Sequence, residues 1–214
     1  MKKLFYTLPL IALTAACAGF KPDYIVRDAS ENSPPSWIIQ AKAYKSDPKS
    51  DEKKYRFYVN DAESPDQNLC LNLAENRATQ RVASEISQEI MNKFSEIASS
   101  RDDSSTRSVK NTLERNIQVN LHGVAVTGKY WEKRAYSKEL GAEKDKVAYK
   151  CDVAVRISNA NLTEALEAYK AKTLRQLSKD DQKAMTTAVD ATIGLIKAGE
   201  PLVGAVADAV AGGN

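Results

Sequence analysis

Residue types that most enzymes and metal sites need are scarce in this sequence. Its 214 residues include one histidine, His122, which by itself supplies neither a zinc cluster nor a catalytic triad, and its place before Gly123 favours a structural role. There is no nucleophile elbow, phosphate-binding loop or dinucleotide-binding glycine motif. Asp102 and Asp103 lack the alternating ligands and the glycine of a calcium loop. We therefore predict a protein that is not an enzyme and uses no cofactor and no metal. A hydrolase built on paired carboxylates stays open, because 28 acidic residues offer many accidental pairs.

An excess of one charge and a high aromatic content are also missing. The chain has 31 Lys and Arg against 28 Asp and Glu, a formal net charge of +3, which gives no general case for nucleic-acid binding. Aromatic residues make up 7% of the chain, too few to suggest a surface that stacks sugars or bases. Arg77 and Arg81, like Lys129 and Lys133, share one face of a predicted element. We expect solvated faces there, and contact with lipid phosphate or an acidic partner is the alternative.

The sequence begins with an apolar run that is too short to cross a bilayer. It follows Lys2 and Lys3 and ends in LPLIALTAAC, from Leu8 to Cys17. At about 13 residues it falls short of the roughly 20 that a spanning helix needs. A basic start, an apolar run and small residues at the end are typical of a secretory signal. Residues 1–16 are therefore predicted to be a signal peptide.

The end of this leader indicates where the protein resides. The sequence Leu-Thr-Ala-Ala-Cys at 13–17 resembles a bacterial lipobox, in which the leader is cut just before the cysteine. The resemblance implies that Cys17 carries acyl chains, and that Ala18, in place of Asp, directs the protein to the outer membrane, facing the periplasm or the surface. A soluble secreted protein with an incidental cysteine is the alternative. Residues 17–35, with three prolines, are predicted to be a lipidated flexible linker.

Periodicity predicts an α+β domain over residues 36–158. After an apolar segment at 34–39 that is expected to be extended, YRFYV at 55–59 alternates and predicts a strand. From 66 to about 98 apolar residues recur at every fourth position, which predicts a long amphipathic helix that packs on its own domain. Its stripe consists of Cys70, Ala74, Ala78, Val82, Ile86, Ile90 and Phe94. Residues 109–121 are predicted to form a shorter helix, although the segment NIQVNL also alternates like a strand.

Two further strands are predicted to form an antiparallel hairpin with one solvated face. In the first, Val124, Val126 and Tyr130 are expected on one side, and Gly128 indicates a bulge. In the second, the inward residues are Val147, Tyr149, Cys151, Val153, Val155 and Ile157, and the outward residues include Lys150, Asp152 and Arg156. The predicted sheet is therefore small and antiparallel, with about three strands.

Cys70 and Cys151 are a candidate disulfide. Cys70 is on the inward stripe of the long helix and Cys151 is on the inward face of the last strand, so both point into the same core. In an oxidising compartment they can form a bridge, provided that their Cα atoms come within about 4.4–6.8 Å. Two buried thiols are the alternative.

Residues 159–214 are predicted to be a helical C-terminal extension. Asn159 or Asn161 is expected to cap its first helix. The second helix is predicted to end at Gly199, before Glu200 and Pro201. The last apolar segment is too short to cross a bilayer. We expect it to pack on the domain, with a partner or a membrane surface as the alternatives.

The order of these elements resembles the LPP-twenty-like family of bacterial lipoproteins. The resemblance covers residues 34–158 and depends on Trp37, on NLAENRATQRVASEI at 72–86 and on a final strand ending in AVRIS. The family often has a glycine-rich segment after the first strand, where this sequence has VNDAESPD. The resemblance implies an α+β domain without known chemistry. Relatives include flagellum-associated outer-membrane proteins, some of which are thought to build collars or rings.

Together these observations predict a non-enzymatic interaction or assembly module of the cell envelope. We expect it to be held in the outer membrane by lipid and associated with a flagellar or secretion structure. The expected partner is a protein or a second copy, and not nucleic acid. The alternative is a periplasmic binding protein for a small ligand or a cell-wall fragment. Trp37, Tyr130 and Trp131 are the candidate ligand or partner surface, and a pocket lined by them would favour the alternative.

Overall fold

Four antiparallel strands and five α-helices form the part of the chain that the structure describes. This computed structural model describes residues 21–39, 54–97, 103–174, 177 and 179–202. In chain order the elements are β1 (Tyr24–Ala29), α1 (Ser36–Ile39), β2 (Tyr55–Ser64), α2 (Gln67–Ile97), α3 (Asp103–Asn120), β3 (Ala125–Tyr136), a 3-10 turn (Lys138–Leu140), β4 (Lys146–Ser158), α4 (Asn159–Thr173) and α5 (Lys179–Ala198). The predicted α+β class is confirmed, with four strands in place of about three.

The strands form one sheet in the order β1-β3-β4-β2. β3 and β4 make the predicted hairpin, and β2 pairs with β4 from Tyr55 opposite Ser158 to Ser64 opposite Tyr149. Cross-strand partners point to the same side of a sheet, so the register assigns each side chain to one of two faces. The helix face, on which α2 packs, is marked on β4 by Cys151, Val153, Val155 and Ile157. The far face is marked on β4 by Lys150, Asp152, Ala154 and Arg156.

A bulge in β3 between Val126 and Gly128 confirms the irregularity that the glycine indicates. It changes the alternation along the strand, because an extra residue moves every later side chain to the opposite face. Val126 pairs with Val155 on the helix face, whereas Tyr130 pairs with Asp152 on the far face. The prediction that Val126 and Tyr130 share one side is therefore wrong.

The first strand, β1, lies within residues 17–35, which the sequence predicts to be a flexible linker. It forms one edge of the sheet, where Tyr24 pairs with Tyr136 of β3, and just beyond it the Ser30 hydroxyl accepts a hydrogen bond from the Trp131 N–H at 3.1 Å. The linker prediction is wrong for the six residues of β1. An edge strand needs only one neighbour, and because four of these residues are exposed, the strand lacks the alternation that would reveal it.

Residues 34–39, expected to be extended, contain one helical turn, α1. The Ile38 N–H donates to the Pro35 carbonyl at 3.0 Å, and the preceding prolines fix the start of the turn without removing a helical hydrogen bond. The turn brings the indole of Trp37 onto the far face. Two of its ring carbons lie 3.0 and 3.1 Å from the position that a Cβ on Gly128 would occupy. The missing side chain of Gly128 is what allows Trp37 to lie against the sheet.

α2 is the long amphipathic helix that the four-residue spacing predicts. All seven stripe residues are at most 1% exposed. The helix packs on β2 and β4 and also contacts α3 and α5. Leu113 and Ile117 of α3 join the same buried cluster, so residues 109–121 are mainly helical and the strand alternative is wrong.

α4 and α5 belong to the same core as the sheet and α2. Their contribution to the apolar cluster includes Leu162, Leu166, Tyr169, Met185, Val189, Ile193 and Ile196. The core is therefore continuous across residue 158, where the sequence predicts the end of the domain. The N-cap of α4 is Ser158, whose hydroxyl accepts from the Asn161 N–H at 3.0 Å. The expectation of Asn159 or Asn161 as the cap is wrong, because the helix starts directly where β4 ends.

Candidate functional site

The structure joins two of the three cysteines in a disulfide. Cys70 of α2 and Cys151 of β4 have Cα atoms 5.8 Å apart and are 0% exposed. Of the two alternatives that the sequence left open, the structure has the bridge and not the pair of thiols. The bridge ties the start of the long helix to a central strand. Cys17, the predicted lipidation site, lies outside the described residues.

The three aromatic residues of the predicted partner surface do not form one site. Trp131 pairs with Cys151 on the helix face, whereas Tyr130 and Trp37 lie on the far face. Successive residues of a strand point to opposite sides, so residues 130 and 131 cannot line one surface. Three cavities among the described residues are lined by other side chains.

The far face carries a network of charged and aromatic side chains. Glu132 accepts hydrogen bonds from the Tyr130 hydroxyl at 2.8 Å and from Arg134 Nε at 2.7 Å. Two further ion pairs on this face join Lys150 with Asp61 and Lys146 with Glu63. Glu132 is 7% exposed and Asp152 is 9% exposed, so the hairpin face predicted to be solvated is partly buried. These partners lie within the domain, and we assign the network to its stability.

Two carboxyl groups of the far face have pKa values shifted in opposite directions. Burial raises the pKa of Asp152, and the nearby Lys150 opposes this only in part. At Glu63 burial also acts to raise the pKa, but hydrogen bonds from Lys146 and Tyr136 outweigh it, and the pKa is lowered. Ionisation is therefore less favourable at Asp152 than at Glu63.

The described residues leave an apolar patch uncovered at the hairpin end of the helix face. Ile25, Ala135 and Val147 are cross-strand partners in one row over β1, β3 and β4, and Ile25 is 49% and Val147 53% exposed. Tyr149 and Trp131 belong to the next two cross-strand pairs of this face towards the core, and their ring centroids lie 5.7 Å apart. The patch exists because α2 packs mainly on β2 and β4 and leaves this part of β1 and β3 open. We call these five residues the sheet-end patch.

A cleft of about 220 Å³ lies between β2, α2 and the residues that follow α5. Its walls are Tyr55, Arg56, Phe57, Tyr58, Glu85, Gly199 and Pro201. Arg56 and Tyr58 enter it from the helix face of β2, and Arg56 Nη2 donates to the Glu200 carbonyl at 2.6 Å. Gly199, with φ of 72°, turns the chain after α5 so that this carbonyl meets the arginine. We call this space the β2–α5 cleft.

Two polar groups of the β2–α5 cleft are buried without a hydrogen-bond partner among the described residues. They are the Tyr58 hydroxyl and Arg56 Nε. Tyr58 is only 4% exposed, and its pKa is raised, first by burial and then by Glu85. Neither residue was predicted from the sequence to belong to a site. The alternation in β2 directs attention to the apolar residues of the opposite face, and Arg56 and Tyr58 lie between them.

Arg77 and Arg81, expected on a solvated face, bind the edge strand β2. Arg77 donates to the Asp61 carbonyl at 2.9 Å and Arg81 donates to the Val59 carbonyl at 3.3 Å. The Asp61 N–H donates to the side chain of Asn60 at 2.8 Å, so it is satisfied locally. Side chains thus occupy backbone groups that an edge strand would otherwise offer to another chain.

The remaining residues singled out in the sequence have ordinary surface contacts. His122 Nε2 lies 3.2 Å from a carboxylate oxygen of Glu164, and Lys129 pairs with Glu75 at 3.1 Å. Within the described ranges no group of three or more His, Cys, Asp and Glu is arranged to hold a metal, and no helix has the length and apolar character needed to cross a membrane. Comparisons of the chain with protein-family models, with curated proteins and with solved structures return no match.

Proposed function

We propose that the protein is a lipid-anchored, non-enzymatic interaction module of the bacterial cell envelope, held at the outer membrane. The observation that carries this proposal is the position of β1, whose first residue comes seven positions after Cys17. An extended chain spans at most about 3.6 Å per residue, so β1 starts within about 25 Å of an acylated Cys17. The domain then stays beside the bilayer, with β1 as its nearest element along the chain.

The sheet-end patch supports the same orientation. It includes Ile25, the second residue of β1, and its exposed aliphatic side chains lie beside Trp131 and Tyr149, the residue types enriched at membrane interfaces. The ammonium group of Lys133 lies 5.7 Å from the centre of the Tyr149 ring, where it can reach lipid phosphate while its stem covers apolar surface. We therefore propose that the bilayer covers the patch.

The assembly role in this proposal rests on the resemblance to the LPP-twenty-like lipoproteins. We propose a protein partner or a second copy, at a flagellar or secretion structure, bound by surface outside the sheet-end patch. Gel filtration and crosslinking in intact cells test this role. A ring or a recovered envelope partner supports it, and a strict monomer with no crosslinked partner counts against it.

The anchor is tested by replacing Cys17 with serine in the full-length protein. Cys17→Ser should lose fatty-acid label and should no longer fractionate with the outer membrane, because acylation needs the Cys17 thiol and several acyl chains bind a bilayer far more firmly than an apolar patch. Ala18→Asp is the matched control: it keeps the cysteine and the label but should move the protein to the inner membrane. Native protein without any fatty modification would contradict the proposal.

A further inference from the structure

The β2–α5 cleft holds two hydrogen-bonding groups that the fold itself does not use. Arg56 and Tyr58 are two residues apart on one strand, so their side chains project in parallel into the same space. The Tyr58 hydroxyl and Arg56 Nε are both buried and lack a partner among the described residues. Buried polar groups are nearly always paired, and leaving one unpaired destabilises the folded state. A bound molecule that supplies acceptor oxygens would remove this cost.

The walls of the cleft hold one cation and one anion, Arg56 and Glu85. Both act on the Tyr58 hydroxyl, so a bound group has to pair with the Arg56 guanidinium itself and not with a general excess of positive charge. Arg56 Nη2 already donates a hydrogen bond to the Glu200 carbonyl, which holds the guanidinium in place. Its Nε does not take part in that hydrogen bond. A guanidinium edge suits the paired oxygens of a carboxylate, and the hydroxyl supplies a further donor.

The size and the other walls of the cleft limit what the anion can carry. Its volume of about 220 Å³ is below that of sites for drug-sized ligands, which start at about 300 Å³. Pro201 adds apolar wall beside the polar groups, and Tyr55 and Phe57, whose side chains belong to the opposite face of β2, border the cleft. This combination suits a carboxylate on a short apolar stem.

The geometry points to a binding site for a short-chain carboxylate in the β2–α5 cleft, with Arg56 and Tyr58 as the residues that hold its oxygens. A free short acid and the C-terminal carboxylate of a peptide supply the same group. The site does not depend on the lipid anchor, so its test and that of the proposed function can fail separately.

The test is calorimetric titration of the detergent-solubilised mature protein with butyrate, and with dialanine to represent a peptide terminus. We expect saturable one-to-one binding of one of them and none of butyramide, which lacks the charge. Tyr58→Phe and Arg56→Lys should each weaken binding about tenfold or more, since a hydrogen bond to a charged group contributes about 1.5–3 kcal/mol. Arg115→Lys, an exposed arginine of α3, is the matched control and should bind like the native protein.

A stability measurement separates binding from a structural role. Without ligand, Tyr58→Phe should unfold at the same denaturant concentration as the native protein or a higher one, because it removes a hydroxyl that has no partner. A variant that is equally stable yet no longer binds supports the site. If neither acid binds better than butyramide, or if Tyr58→Phe binds unchanged, the inference is overturned and water is the natural occupant of the cleft.

Discussion

Gly128 serves two purposes at one position of β3. It follows the bulge that changes the alternation of the strand, and it leaves room for Trp37 on the far face. The bulge was predictable, because a glycine inside an alternating segment indicates one. The contact with Trp37 was not, because it depends on α1 crossing a strand that lies about ninety positions later in the chain.

Two glycine-to-alanine replacements should have opposite effects on stability. Gly128→Ala places a methyl group 3.0 Å from the Trp37 ring and should cost about 1–2 kcal/mol of unfolding free energy. Gly194→Ala, within α5, meets nothing within 4 Å and should add about 0.5–1 kcal/mol. Urea denaturation measures both. The cost of Gly128→Ala should shrink in a Trp37→Ala background, and an unchanged cost would contradict the assigned contact.

Asp152 should make stability depend on pH in a predictable direction. Its folded pKa is raised by burial, so the folded state holds the proton more tightly than the unfolded chain does. The stability that this bound proton contributes to the folded state is therefore fully present below the ordinary aspartate pKa of about 4. It is lost as pH rises through the folded pKa. Asp152→Asn, neutral throughout, should melt about 2 °C higher than the native protein at pH 7. The difference should shrink towards pH 4, and an equal difference at both pH values would contradict the assignment.

At the scale of elements, the predictable parts are those with a strong period of their own. The stripe of α2 and the inward face of β4 could be predicted from the sequence. Together they predicted that Cys70 and Cys151 point into the same core. β1 and α1 could not be read, because an exposed edge strand and a single helical turn bury too few residues to create a pattern. The β2–α5 cleft was not predicted for a related reason: the turn after α5 completes it, and the Glu200 carbonyl that Arg56 contacts there lies 144 positions further along the chain.

The disulfide should make a large contribution to stability, because it closes a long loop between α2 and β4. The two cysteines are 81 residues apart, and a loop of that length corresponds to about 3–5 kcal/mol. Adding a reductant should lower the denaturation midpoint of the native protein. The Cys70→Ala/Cys151→Ala variant should start lower and not respond to the reductant. Labelling of both thiols in unreduced, unfolded protein would contradict the bridge.

At the scale of the whole molecule, the sheet-end patch includes Ile25 of β1, the described strand nearest in sequence to the proposed anchor at Cys17. The contact with lipid can be measured separately from the anchor, because the two tryptophans lie on opposite faces of the sheet. In anchored protein in vesicles of brominated lipid, Trp131 in a Trp37→Phe background should be quenched at least twofold more than Trp37 in a Trp131→Phe background. Val147→Asp should reduce the quenching of Trp131 while the protein stays anchored. Equal quenching of both tryptophans would exclude the proposed orientation.

The two borders of the sheet differ in a way that matters for molecules crowded on one surface. Arg77 and Arg81 of α2 occupy two backbone carbonyls of β2, while within the described ranges no strand pairs with the outward border of β1. A sheet with two open borders can add copies without limit, as a fibre does, whereas a sheet with one can add a single strand and then stop. The proposed lipid anchor would confine copies to two dimensions and raise their local concentration. The guanidinium groups on β2 therefore make this border a poor template for an added strand, so crowded copies do not grow into a fibre through it.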